Sequence, residues 1–347
     1  MSEWRYIEAF AAHFARCGLV DGEVVALLSE SQSRATLVET ARLAAQSLGG
    51  RVFDVVVPTP ASSHAVPIRS TGASQAIAGN TAVIAALSNA GLVIDCTVEG
   101  LLHAPELGSI LGAGARVLMI SNEHPDIFDR LGWDPDLPRR VELAHQWLRS
   151  AGELRVTSDE GTDLTVALAG AVTAGSTGVT AGPGSIAHWP GGLVIAFPAA
   201  NSVNGRLVMA AGDINLTFNR IVESPIELTI ADDHITEIGG HGVDAQLFRS
   251  YLGSFGDRAS YATSHVGWGM NEAARWEAVE LYDRRETWGT EARAIAGNFL
   301  YSTGANEVAG RFTAGHFDLP MRHCTVALDG AVVVQGGELI AELRNPR

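Results

Sequence analysis

EVVALLSESQSRATLVETARLAAQSLGGRVFDVVVP, residues 23–58, decides the fold of the first half of the chain. EVVALLSE reads as a buried strand, and RATLVETARLAAQSLGG reads as a helix that stops at Gly49-Gly50. RVFDVVVP is the next strand, closed by Pro58. Strand, helix and strand in that order form a parallel crossover unit. Working outward, Ile7, Phe10, Phe14 and Cys17 recur at spacings of three and four, which marks one apolar face of a helix before the unit. After it come a small-residue helix (QAIAGNTAVIAALSNAG, 75–91), the strand LVIDC (92–96), a short helix, and the strand RVLMIS (116–121). PDLPRRVELAHQWLRSAG (135–152) is the closing helix. The pattern predicts a doubly wound, Rossmann-like α/β domain over residues 1–152.

From Glu153 the texture changes. LRVTSDEGTDLTVALAG looks like two strands joined by a polar turn, and GLVIAF, GRLVMA, IELTI and CTVALDGAVVVQGGELIAEL continue in that style. Asp329-Gly330 is a hairpin signal. A helical stretch, NEAARWEAVELYDRRETWG (271–289), interrupts the strands. Residues 153–347 are therefore expected to form a β-rich α+β domain.

Composition narrows the function. Of 347 residues, 46% are hydrophobic and 18% charged, which are globular values. The net charge of −15 argues against a nucleic-acid footprint, which needs a basic patch. No run reaches the ~18 apolar residues of a membrane span, and MSEWRYIEAF lacks the basic start of a secretory signal. A cytoplasmic location and no membrane partner are expected. The three cysteines, Cys17, Cys96 and Cys324, form neither a disulfide framework nor a thiolate metal site. No dinucleotide or phosphate-loop motif follows the first strand, where the chain reads SESQSR, and the GAGA at 112–115 leads into a strand. No G-x-S-x-G elbow or cysteine signature supports nucleophilic acyl transfer.

The sharpest chemical signal is AGHFDLP (314–320). On a strand, His316 and Asp318 point to one face and can converge on one ion. The bland reading is a strand with a wet face. His265, in SHVGWGMN (264–271), would complete a two-histidine, one-carboxylate set, and Gly267 and Gly269 let another backbone or a ligand come close. Such a set leaves coordination positions open, as in non-haem Fe(II) oxygenases, and equally suits catalytic zinc. His103 (LLHAPEL) and His188 (AHWPGG) are read as lying in connections, as acid–base candidates or plain structural residues. His323 lies an odd number of residues from His316 and would face away on a continuous strand, although Pro320 argues against continuity. His13, His64, His124, His145, His234 and His241 carry no signal.

The second half carries a resemblance. GTDLTVAL, HWPGG, PAANSVNGRLV, SPIELTI, HVGWGMN, GNFLYSTGAN and HFDLPMRHCTVALDG occur in the order seen in the thermophilic leucyl-aminopeptidase-like metalloenzyme superfamily. Those peptidases carry glutamate metal ligands where this chain has Leu193 and His265. Two ions side by side need anionic ligands to offset their repulsion, so a two-metal peptidase is not expected. With histidine at 265, the pattern is similar to the 2,5-dihydroxypyridine 5,6-dioxygenase branch. That resemblance implies one Fe(II) held by His265, His316 and Asp318, with His103 and His188 as active-site histidines. It implies an extradiol-type ring-cleaving dioxygenase that opens a hydroxypyridine between C5 and C6 to N-formylmaleamate, in nicotinate-type degradation. The partners are then a small aromatic N-heterocycle and dioxygen, in a homo-oligomer. The alternative is a zinc metallo-hydrolase acting on an amide with the same three ligands.

Overall fold

The computed structural model describes residues 3–61, 74–284 and 286–346, so His64 lies outside the described residues. The crossover unit forms as its pattern requires. Val24–Glu30 and Arg51–Val57 pair in parallel, bridged by the helix Ala35–Ser47. Leu92–Asp95 and Arg116–Met119 extend the sheet, whose order is 51–57, 24–30, 92–95, 116–119, 186–188, all parallel. Alternate side chains of one strand serve opposite faces. Val25 and Leu27 pack with Phe10 and Phe14 of the helix Trp4–Arg16. Ala26 and Leu28 pack with Leu87 and Ile110 on the other side. Both faces are covered, which is why these strands read as continuous apolar runs rather than alternating ones.

The fifth strand, Ile186–His188, comes from beyond the expected boundary at residue 152, so the sheet crosses that boundary. It also moves His188 out of a connection and onto a strand end. Three residues carry no readable periodicity; pairing with Val117–Met119 makes this strand.

The second half builds two large antiparallel sheets, besides a two-stranded ribbon at Ile214–Asn215 and Arg220–Ile221, around one large core that includes Leu154, Val166, Leu207, Val266, Trp268, Phe317 and Val326. The eight-stranded sheet contains Glu153–Thr157, Asp163–Ala167, Val203–Met209, Ile226–Ala231 and Thr325–Leu328. Asp329 (φ 48°) and Gly330 (φ 83°) make its hairpin turn with both central residues left-handed, as the dipeptide predicts. The five-stranded sheet runs Phe317–Met321, Phe299–Thr303, Thr263–Gly269, Leu193–Phe197, Val172–Ser176. Pro320 is accommodated because its strand is an edge, and His323 is exposed and turned away.

Three elements differ from the sequence reading. The helix expected from residue 75 starts at Thr81, where the Asn80 side chain accepts from Val83 N at 3.2 Å and fixes the N-terminus. The helix expected over 271–289 shrinks to Ala278–Leu281. Tertiary bonds claim its ends: Asn271 Nδ2 donates to Gly191 O at 3.1 Å, and Trp288 N donates to Glu123 at 3.0 Å. A helix at Val243–Ser254 was not foreseen; its buried face carries Ala245, Phe248, Tyr251 and Leu252. No helix among the described residues is long and apolar enough to cross a membrane.

Candidate metal centre

The site is built where the C-terminal end of the parallel sheet meets the five-stranded sheet. In open α/β sheets ligands bind beyond the C-terminal strand ends. Three neighbouring strands of the second sheet supply its floor. Thr263 pairs with Thr303 but Val266 with Tyr301, so Ser264 and His265 carry the extra residue of a β-bulge. A bulge turns a side chain out of its regular alternation and is frequent beside functional sites. Ser302, across from the bulge, is in register with Asp318. The glycines after His265 serve packing: a Cβ on Gly267 would lie 2.0 Å from Val194 O, and one on Gly269 2.0 Å from Ile295 O. What comes close to them is backbone.

His265, His316 and Asp318 are all buried, and one ligand atom of each lies within 4.8 Å of the others. Asp318 Oδ1 is 3.2 Å from His316 Nε2 and 3.6 Å from His265 Nε2. Donors about 2 Å from a shared ion sit about 3–4 Å apart, so these two spacings already fit one ion. No second group of this kind occurs among the described residues.

Each of the three side chains is held from behind. The Ser264 hydroxyl donates its single proton to Ala305 O at 2.5 Å. Its contact with His265 Nδ1 at 3.1 Å places the serine oxygen to accept Nδ1–H, and Nε2 lies 3.0 Å from Ser302 Oγ and 3.6 Å from Asp318 Oδ1. The His316 carbonyl accepts from Tyr251 Oη at 2.9 Å and Thr217 Oγ1 at 3.2 Å. Asp318 accepts from Ser302 Oγ on Oδ1 and is ion-paired through Oδ2 with Arg293 Nε at 2.6 Å.

Electrostatics matches a cation site. Burial pushes His265 down to about 3, His188 to about 3 and His103 to about 4, so all three are neutral at neutral pH. Burial alone would raise the Asp318 carboxyl, but the Arg293 guanidinium and the two imidazoles hold it well below the usual range. Two imidazoles and one carboxylate suit a divalent first-row metal.

The structure brings His103 beside His265, His316 and Asp318, and sets His188 within reach of the charges of Arg293 and Asp318. The His103 ring lies 5.7 Å from that of His316 and 6.4 Å from that of His265. The charges of Arg293 and Asp318 act on His188, whose Nε2 is sealed and has no hydrogen-bond partner among the described residues. A cleft of about 560 Å³ opens beside the centre, lined by His103 and Phe197, with Val172, Val308 and Phe312 on its apolar walls. The Phe197 ring is 5.2 Å from that of His265. The sequence reading missed Arg293, Ser264, Ser302 and Phe197. Ser302 sits in the quoted GNFLYSTGAN; Arg293 in GTEARAIAG had no local signal.

The family model for 2,5-dihydroxypyridine 5,6-dioxygenase matches residues 5–341. The chain belongs to the 2,5-dihydroxypyridine 5,6-dioxygenase family. A 2,5-dihydroxypyridine 5,6-dioxygenase of Pseudomonas putida KT2440 is 37% identical over 336 residues, covering 95% of this chain and 94% of that one. A solved structure of the 2,5-dihydroxypyridine dioxygenase of that organism superposes with a TM-score of 0.91 at 34% identity, over 98% of both chains. Wild-type AmpT from Thermus thermophilus shares the fold at a TM-score of 0.62 and 14% identity, over 97% of this chain and 99% of AmpT. Membership of the dioxygenase family supports the ring-cleaving reading over the amide-hydrolase alternative.

Proposed function

We propose that this chain opens 2,5-dihydroxypyridine, or a close hydroxypyridine, between C5 and C6 with dioxygen, using one Fe(II) held by His265, His316 and Asp318. The observation that carries the reading is the buried trio beside an apolar cleft, in a chain of this family. The balance needs no other reactant. The C5–C6 bond breaks, C5 gains oxygen and becomes a carboxylate, and C6 gains oxygen and becomes the formyl group on nitrogen, giving N-formylmaleamate.

Bound iron would supply the common point at which ring and dioxygen meet, turning an encounter into a neighbouring reaction. The chain's own residues do the rest. Ser264 holds the His265 ring through Nδ1 with Nε2 turned towards Ser302 and Asp318, and Ser302 and Arg293 orient Asp318. Phe197 and the apolar walls hold the ring and exclude water. Neutral His103 and His188 are the groups that receive and return the proton of the 5-hydroxyl at their ring nitrogens. Neither is proposed as a metal ligand.

A cytoplasmic homo-oligomer completes the proposal; light scattering on the purified chain tests the assembly. The function test is oxygen uptake after anaerobic Fe(II) reconstitution, with a panel of dihydroxypyridines. One dioxygen consumed per 2,5-dihydroxypyridine, with N-formylmaleamate as product, supports it. No uptake on any hydroxypyridine, or hydrolysis of leucine amides by the zinc form, overturns it.

A further inference from the structure

We infer that Arg293 is the oxyanion clamp of this site: its Nε anchors Asp318 while its two terminal nitrogens bind an anionic ring oxygen of the substrate. The inference rests on the hydroxypyridine reading above and names the group that recognises that substrate. Arg293 ends the short 3-10 turn Thr290–Arg293, and its side chain is only 14% exposed. Nε lies 2.6 Å from Asp318 Oδ2, on the oxygen turned away from the histidines. Among the described residues the guanidinium makes no hydrogen bond, its Nε contact with Asp318 being an ion pair, and Nη1 and Nη2 are not among the atoms sealed from solvent. The guanidinium stands beside the Asp318 carboxylate, and its charge acts on His103, His188 and His265 alike. A guanidinium is a planar fork of five donors, so using one nitrogen on Asp318 leaves the other two for a second oxygen acceptor.

The first half of the chain fixes the segment that presents this arginine. The buried Glu123 accepts from Trp288 N at 3.0 Å, Thr290 N at 2.7 Å and Thr290 Oγ1 at 2.5 Å. Glu291, also buried, is ion-paired with Arg130 and accepts from Arg275 N at 2.8 Å. Two buried carboxylates thus hold the turn from either side, and a preorganised cation loses little freedom when it binds an anion. Charge counting gives the ligand's sign. Asp318 and Arg293 cancel, and an imidazole that ligates a metal does so in its neutral form, so a divalent ion leaves the pocket at a net charge of about +2. A ring that has lost a hydroxyl proton offsets that charge, and a neutral ring does not.

The test uses the full chain loaded with Co(II) under argon, where no turnover occurs and the visible spectrum reports ligands near the metal. The probes are 2,5-dihydroxypyridine and pyridine, against wild type, Arg293→Met and Arg293→Lys. In Arg293→Met, dihydroxypyridine affinity should fall at least 30-fold while pyridine affinity stays within threefold. Arg293→Lys keeps the charge and loses the fork, and should lie between, at a five- to tenfold loss. Dihydroxypyridine affinity in Arg293→Met within threefold of wild type overturns the clamp and leaves the dioxygenase reading standing. Equal losses for both probes also overturn it, since a merely structural arginine acts that way. If Arg293→Met takes up no cobalt, Arg293→Lys decides: wild-type affinity there overturns the inference. A wild-type cobalt protein that binds no dihydroxypyridine overturns both the clamp and the reading beneath it.

Discussion

Ser264→Ala isolates the device that prepares His265 for metal. The Ser264 proton is committed to Ala305 O at 2.5 Å, so the serine oxygen is placed to accept Nδ1–H and favours the tautomer in which Nε2, 3.0 Å from Ser302 Oγ, can turn its lone pair to a metal. Removing the hydroxyl leaves Nδ1–H and the Ala305 carbonyl without this partner in a buried place. Each such loss costs about 1–3 kcal/mol of folding stability. Loss of a group that orients a ligand histidine weakens metal binding about 10- to 100-fold. That is about 1.4–2.7 kcal/mol at ~1.36 kcal/mol per decade. Anaerobic competition titration against a chelator gives the affinity, and thermal unfolding of the metal-free protein gives the stability. Thr162→Val is the control. It deletes a buried hydroxyl that accepts from Val208 N at 2.9 Å in the eight-stranded sheet, among residues the site does not use. The control should lose stability and keep wild-type metal affinity. Wild-type affinity in Ser264→Ala, or equal affinity losses in both variants, would refute the tautomer argument.

His265→Ala, His316→Ala and Asp318→Ala should each bring iron to below about a tenth of wild type and abolish turnover, because a three-ligand chelate does not survive the loss of one arm; full iron by emission spectrometry in any of them removes that residue from the set. His103→Ala and His188→Ala should keep near-normal iron and lose about 100- to 10,000-fold in turnover, the usual contribution of a positioned acid or base; near-wild-type turnover in a folded, iron-loaded variant excludes that histidine. Excess zinc or cobalt should load one ion per chain and give no leucine-amide hydrolysis, with metal analysis and a peptidase assay as the checks. Away from the centre, burial holds His13 at about 4, against an ordinary 6.5, while its Nε2 bonds Gly178 O at 2.9 Å. The unfolded chain then binds the proton more readily, so the stability from this group is complete above pH 6.5 and is lost as pH falls towards 4, by up to about 3 kcal/mol. His13→Gln should flatten denaturant-measured stability over that window, and an unchanged slope would count against the assignment.

Much of this was legible because two periodicities are strong here. The apolar runs at 24–30 and 92–95 have both faces covered, and the Asp329-Gly330 turn requires two left-handed residues. His316 and Asp318 were legible as a pair because two residues of spacing decide their common side. His265 was not placed by spacing: the bulge at Ser264 and His265 aims it, and a bulge leaves no signature in a single sequence. His188 looked like a loop residue because a three-residue strand has no period and owes its existence to a partner some seventy residues earlier. The segment 271–289 had helical composition, but tertiary bonds from Glu123 and to Gly191 outweigh a propensity worth tenths of a kcal/mol per residue. Arg293 depends on the same tertiary bonds and was invisible for the same reason.

The three-residue centre is tested most directly by anomalous diffraction at the iron edge from crystals grown anaerobically with Fe(II). The account predicts one peak per chain, bounded by His265 Nε2, His316 Nε2 and an Asp318 oxygen, with His103 and His188 outside bonding distance. Two peaks, a peak away from these three residues, or a bond from either remaining histidine would contradict it.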